Sequence, residues 1–357
     1  MSEHNRPPHL PWKSRNSTRR FRDFLLPGRD IRSRSPSYIN IIPGRGGSGL
    51  SEENRNGRTE LSPEEYRYGW TELSRDLQRL VLSYPFLSVC SIGCSVLGKP
   101  IYAFRIGEGP FRWHFNASCH ANEWITTPLV MHFAEQYAAA CCTQGTVGGK
   151  PASALYRKTS LWIVPMLNPD GVELVQTGLQ PGHPFYRELL HWNGGNLRFE
   201  DWKANARGVD LNDQFPAHWE EERERRQTPG PGPRDYGGPA PLSEPEAFSL
   251  AEWTAGMDFH AVIALHTQGE EIYWNYRGHE PPESGSWAER LAEASGYRAV
   301  YLEGSDAGYK DWFLQAFGRP GFTVEAGFGR NPLPFAEFPS ISERLNRLLA
   351  EALDLPE

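Results

Sequence analysis

The sequence predicts an α/β fold, a single domain over residues 61–357 built on a central mixed, mostly parallel twisted sheet flanked by helices. Three observations predict it. Leu161-Trp-Ile-Val-Pro-Met-Leu167 is a continuous apolar run, the pattern of a strand buried on both faces. Leu129, Val130, Phe133, Ala134 and Tyr137 recur at helical spacing soon after the apolar stretch 111–117. From Ser243 to the end, helix and strand signals alternate, and no repeat period is visible.

The elements follow in order. Residues 1–60 mix Arg, Ser, Pro, Gly and Asn without hydrophobic periodicity, so they bury too little apolar area to offset ordering entropy and are expected to form a disordered basic arm. Ser62-Pro63-Glu64-Glu65 is a helix start, with Ser as N-cap, Pro in the first turn and acids beside the positive helix end. That helix would bury Leu73, Leu77, Leu80 and Val81. Strands are expected over 87–96, over 101–106 after Gly98-Lys99-Pro100, and over 111–117 after Gly109-Pro110. Thr127-Pro128 caps the next helix, with His132 on its polar face.

The buried strand 161–167 ends in Asn168-Pro169-Asp170-Gly171, which reads as a tight turn. Residues 178–240, rich in Gly, Pro and Trp, read as long loops overhanging a site. Beyond them come a helix to Met257, strands over 259–266 and 271–274, and a helix over 286–295. A short strand over 297–301, a helix over 309–317, a strand over 321–326 and a closing helix over 340–353 complete the pattern.

Charge and composition exclude some classes of function. The net charge of −7 argues against a general nucleic-acid binder, although the first 50 residues hold ten Lys/Arg against three acids. No stretch is long and apolar enough for a membrane span, and no apolar run near the start would serve as a signal-peptide core, so a cytoplasmic location is expected. The five cysteines, Cys90, Cys94, Cys119, Cys141 and Cys142, fall in expected strands and a helix and suit buried reduced thiols. Cys90 and Cys94 are read as alternate positions on one strand face rather than as metal ligands.

The chemistry gathers at strand ends. His120 and Glu123 stand three residues apart where strand 111–117 breaks into a turn, a spacing that lets an imidazole nitrogen and a carboxylate oxygen meet on one cation. Alone, the pair reads more simply as a solvated helix start. His266 ends the apolar strand that begins at Ala261, where ligands of open α/β sheets collect, although a plain polar terminus looks the same. With His120 and Glu123 it makes a His, Glu, His set that leaves zinc one open position. Glu325 lies inside Phe322-Thr-Val-Glu325-Ala-Gly-Phe, where a carboxylate is costly without a partner or a task. It is either half of a structural ion pair or, beside a metal ion, a general base that takes a water's proton and hands it to a departing amine.

Taken together, His120-Ala-Asn-Glu123-Trp, Pro165-Met-Leu-Asn168-Pro-Asp-Gly171, Gly208-Val-Asp-Leu-Asn212, His266 and Thr323-Val-Glu325 resemble the zinc carboxypeptidase family, in its order and over roughly residues 64–350. The resemblance implies one zinc held by His120, Glu123 and His266, with Glu325 as the catalytic carboxylate. It implies an arginine that polarises the scissile carbonyl, for which Arg207 in Trp202-Lys-Ala-Asn-Ala-Arg207 is the best candidate. It also implies a mobile tyrosine over the substrate, a role for which Tyr301 and Tyr309 compete.

The departure lies at Asn212-Asp213, where digestive-type members carry Asn-Arg and the arginine clamps a terminal carboxylate. An anion there disfavours an ordinary C-terminal carboxylate and favours a substrate group bearing an ammonium, unless a basic side chain from another loop restores the clamp. Gly-Val-Asp-Leu-Asn-Asp-Gln-Phe-Pro-Ala resembles a bacterial branch, the γ-D-glutamyl-L-diamino acid peptidases, which implies a cell-wall stem peptide as substrate. A general metallocarboxypeptidase of the same fold and a non-catalytic binder of wall fragments are the alternatives, and the second predicts that a ligand or the base is missing.

Overall fold

A computed structural model describes residues 66–356. The basic arm over 1–60 and the helix start at Ser62 lie outside the described residues. Residues 66–69 are not helical, and α1 (Trp70–Ser83) begins after Gly69, whose N–H donates to the Glu72 carboxylate at 3.0 Å. Leu73, Leu77 and Leu80 form its buried face, while Val81 is only partly covered.

Next come β1 (Ser88–Cys94), β2 (Pro100–Ile106), β3 (Phe111–Asn116) and α2 (Thr126–Thr143). A small hairpin, β4 (Thr146–Val147) and β5 (Lys150–Pro151), leads to α3 (Ala152–Lys158) and β6 (Thr159–Val164). Then follow α4 (Pro169–Thr177), α5 (Tyr186–Trp192), α6 (Trp219–Arg226), α7 (Pro245–Met257), β7 (Ala261–His266) and β8 (Glu271–Tyr273). The chain closes with α8 (Glu283–Ser295), β9 (Arg298–Val300), α9 (Tyr309–Phe317), β10 (Gly321–Glu325) and α10 (Phe338–Asp354). Among these, no helix is long and apolar enough to cross a membrane.

Eight strands form one sheet in the order β1-β2-β6-β3-β7-β10-β8-β9. The central four, β6, β3, β7 and β10, run parallel, and antiparallel pairings join β1, β2 and β8 to them. Alternation explains the two-layer cover: along β7, Ala261, Ile263 and Leu265 face one apolar core with α2, α8 and α10, and Val262 and Ala264 face another with α7 and α9. All six β7 residues are buried, as are all six of β6. This is the expected single-domain mixed sheet.

Several local expectations need correction. Cys90 and Cys94 do not share a face: a bulge between Ser91 and Gly93 adds a residue to β1, so Cys90 is buried and Cys94 exposed. All five cysteines are free, but only Cys90 and Cys119 are buried. Asn168-Pro169-Asp170-Gly171 is no isolated turn but the start of α4, with the Asn168 side chain accepting from Gly171 N at 3.0 Å. Helix α2 starts at Thr126, one residue before the expected cap, and its first two hydroxyls hold the preceding turn. Thr126 Oγ1 donates to Glu123 O at 2.8 Å and accepts from Ser118 N at 2.9 Å, and Thr127 Oγ1 donates to Pro165 O at 2.6 Å. The long stretch 178–240 carries α5, a 3-10 turn over Leu211–Asp213 and α6.

Candidate metal centre

All the strand-end residues singled out above emerge at the carboxyl edge of the parallel strands. The turn after β3 supplies His120 and Glu123, β7 ends on His266, and β10 ends on Glu325, which stands in register beside His266. One ligand atom from each of His120, Glu123 and His266 lies within 4.8 Å of the others, and all three residues are buried. His120 Nδ1 is 2.9 Å from Glu123 Oε1, and His266 Nδ1 is 2.9 Å from Glu123 Oε2 and 3.2 Å from His120 Nδ1.

Two imidazole nitrogens and a carboxylate are a donor set that zinc accepts with one position left open. The far side of His120 is fixed as well: its Nε2 lies 3.1 Å from Asp210 Oδ1, which leaves Nδ1 for a metal. Asp210 is itself held by Asn212 N on Oδ1 and by Asp235 N on Oδ2, each at 3.1 Å. Thr267 N, just past the end of β7, donates to Glu123 Oε2 at 3.2 Å and orients that carboxylate. The residues present therefore fit a zinc ion.

The charges around this point are strongly coupled. Burial alone would discharge His120, but Glu123 and Asp210 outweigh it and lift the metal-free imidazole to about 9. His266, desolvated with less compensation, is lowered. Against burial, the cationic His120 and Lys203 keep Glu123 well below the ordinary carboxylate range, and the same pair lowers Asp210. Desolvation of the Glu325 carboxylate, reinforced by the negative charge of Glu123 and opposed by Lys203 and His120, pushes it up to about 8.

Lys203, rather than Arg207, pairs with a residue of the ligand set. Lys203 Nζ lies 3.3 Å from Glu123 Oε1, whereas Arg207 is about half exposed and pairs with Glu244 at 3.7 Å. Lys203 stands beside Trp202 in a loop with several basic residues, and sequence spacing alone does not say which of them turns inward. The backbone does: Ala121 N donates to Lys203 O at 2.9 Å, tying Lys203 to the metal turn.

Asp213 departs from expectation too. It is buried, 3.4 Å from Arg226 Nε, and its carboxylate is grouped with Asp210 and Asp235 behind His120 rather than offered to a substrate ammonium. Asn212 is half-buried and turned towards the start of α9, where a Cβ on Gly308 would come within 3.6 Å of its Oδ1. Tyr309 is 1% exposed, bonded through its hydroxyl to Thr254 at 3.0 Å and packed among His114, Phe215 and Trp312, so it is a core residue and no lid. Tyr301 is 53% exposed, with its ring edge against Trp274.

A family model described as zinc carboxypeptidase matches residues 73–339 of the chain. Gamma-D-glutamyl-L-diamino acid endopeptidase 1 of Lysinibacillus sphaericus is 49% identical over 288 residues, spanning 80% of this chain and 72% of that protein. The uncharacterized protein YqgT of Bacillus subtilis is 40% identical over 294 residues, 81% of this chain and 78% of its own length. Among solved structures, bovine thrombin-activatable fibrinolysis inhibitor superposes with a TM-score of 0.63 at 18% identity, covering 82% of this chain and 98% of that one. Carboxypeptidase A from Helicoverpa armigera gives 0.59 at 19% identity, covering 82% and 74%. These last two likenesses concern the fold.

Proposed function

The chain belongs to the zinc carboxypeptidase family and is a hydrolase of that family, and from this premise we propose that it cuts the amide bond between γ-D-glutamate and a diamino acid in cell-wall stem peptides. The observation that carries the catalytic part is the convergence of His120, Glu123 and His266 at the end of the parallel strands, with Glu325 in register beside His266. The substrate part is supported by the printed name of the Lysinibacillus relative and by the lack, at Asn212-Asp213, of the arginine that would clamp a terminal carboxylate.

In this reading His120, Glu123 and His266 hold the ion. When bound, zinc supplies Lewis acidity and makes water a nucleophile near neutral pH. Glu325 accepts the proton of the attacking water and returns it to the amine as the carbon–nitrogen bond breaks. Burial and the nearby Glu123 charge raise its pKa in the metal-free site, which favours its holding a proton. To Lys203, which lies 3.3 Å from Glu123 Oε1, this reading gives the stabilisation of the oxygen on which negative charge develops. Asp210 keeps His120 in the tautomer that leaves Nδ1 unprotonated. Asn212 orients the diamino acid from beside Gly308, and the exposed Tyr301 is the remaining candidate for closing over it. We propose in addition a cytoplasmic location, with released wall fragments as substrates.

A second reading, a carboxypeptidase for ordinary free C-termini, is the activity that the name of the matching family model carries. Mass analysis of products from L-Ala-γ-D-Glu-diaminopimelate and its tetrapeptide homologue, beside ordinary peptides with free C-termini, separates the two. Release of L-Ala-D-Glu supports the wall-peptide reading. A clear preference for ordinary C-termini overturns it in favour of the second.

A further inference from the structure

Helix α6 and the segment after it lie outside the reaction described above, yet they grip two of its parts. The Gly-Pro-rich strap 230–238 runs alongside 203–210 and pairs with it repeatedly. Pro233 O accepts from Lys203 N at 2.8 Å and from Ala204 N at 3.1 Å, and Tyr236 O accepts from Asp210 N at 2.8 Å. Gly232 N donates to Gly208 O at 3.0 Å, and Asp235 N donates to Asp210 Oδ2 at 3.1 Å. The strap thus holds the backbone of Lys203 and the carboxylate behind His120.

Asp235 takes a left-handed conformation, φ +65°, which costs energy for a residue with a Cβ unless its side chain is pinned. The pin is Arg226. Its Nη1 donates to Asp235 Oδ1 at 3.1 Å, while its Nε reaches Glu222 Oε1 at 2.7 Å and Asp213 Oδ2 at 3.4 Å. Glu222 in turn accepts from Asp306 N at 3.1 Å, anchoring α6 to the loop before α9. A planar fork is suited to span these carboxylates, and an ammonium is not. Of the three grouped carboxylates, Asp213 and Asp235 have this guanidinium as a counter-ion, Asp235 sharing Arg234 at 3.3 Å, while Asp210 pairs with His120 at 3.1 Å.

We propose that Arg226 is a positioning residue for the metal centre: by holding Asp235 it fixes the strap, and through the strap it fixes Asp210 behind His120 and the backbone of Lys203. The inference rests on the zinc reading above. Its test is the rate at which zinc-loaded protein releases zinc to excess chelator, read beside the melting midpoint of the metal-free form. Arg226→Met should release zinc on the order of ten-fold faster, the range seen when groups that orient metal ligands are removed. Removing a nearby positive charge would by itself tighten the hold on a cation, so unchanged or slower release overturns the proposal.

Asp235→Asn shifts the local field in the opposite sense, and faster release in both variants is expected only from lost positioning. If Arg226→Met does not fold, Arg226→Lys decides: it keeps the charge and loses the fork, and release at the wild-type rate overturns the proposal. A change in melting midpoint without a change in release marks a merely structural role and also overturns it. Wild-type protein that takes up no zinc sinks the metal reading first, a failure visible before any variant is made.

Discussion

Glu325 sits at the end of β10 between two polar neighbours, His266 across the parallel pairing and Glu271 across the antiparallel one. Glu325→Gln keeps the shape and removes the proton acceptor, so kcat should fall by roughly 10²–10⁴ while the zinc content stays at the wild-type level. Steady-state turnover with metal analysis checks this. Lys203→Met should lower kcat/KM on the order of 10², and Arg207→Met should leave it near wild type, because only Lys203 lies against the Glu123 carboxylate.

His120 gives a pH prediction. Lifted from 6.5 to about 9 in the metal-free site, it must lose a proton before it can take zinc, so zinc affinity should keep rising with pH through neutrality and level off only near 9. In the metal-free protein the raised value stabilises the fold fully below pH 6.5, and that contribution fades as pH climbs towards 9. Zinc titrations between pH 6 and 9 would show a plateau from about 7 if His120 had its ordinary value. His120, Glu123, His266 and Glu325 could be picked out of the sequence because each lies at the end of an apolar strand or in the turn that follows one, where a polar group is conspicuous. Lys203 could not, since Lys203, Arg207 and Arg234 are equivalent until backbone pairing turns one of them inward. Nor does residue spacing show that Asp213 points behind His120.

Asn168 shows how an element can serve the site. Its Oδ1 caps α4, and its Nδ2 donates to Cys119 O at 3.2 Å and Ala204 O at 3.1 Å, the carbonyls next to His120 and Lys203. Asn168→Ala should cost about 2 kcal/mol, the upper end for a lost cap, because two buried carbonyls are left with it. Denaturant unfolding measures the loss. Most strands and long helices were legible from periodicity, and α9 matches its expected span 309–317. What was hidden has a physical reason in each case. The β1 bulge changes facing without changing composition, Asn-Pro-Asp-Gly suits a turn and a helix cap equally, and α6 is too polar to show an apolar stripe.

At the scale of the molecule, the parallel centre of the sheet decides where chemistry can sit. Four strands running the same way deliver their carboxyl ends to one edge, so side chains from 120 to 325 meet there although they are distant in sequence. The alternation of helix and strand after Ser243 made this architecture readable, whereas the order of strands, with β6 and β3 between β2 and β7, is not contained in any local pattern. The measurement that bears most directly on the whole is zinc back-titration. Chelator-treated protein should hydrolyse no L-Ala-γ-D-Glu-diaminopimelate, regain full turnover at one zinc per chain, and bind that zinc without turnover when Glu325 is replaced by Gln. Undiminished hydrolysis by protein shown to be free of metal would contradict it.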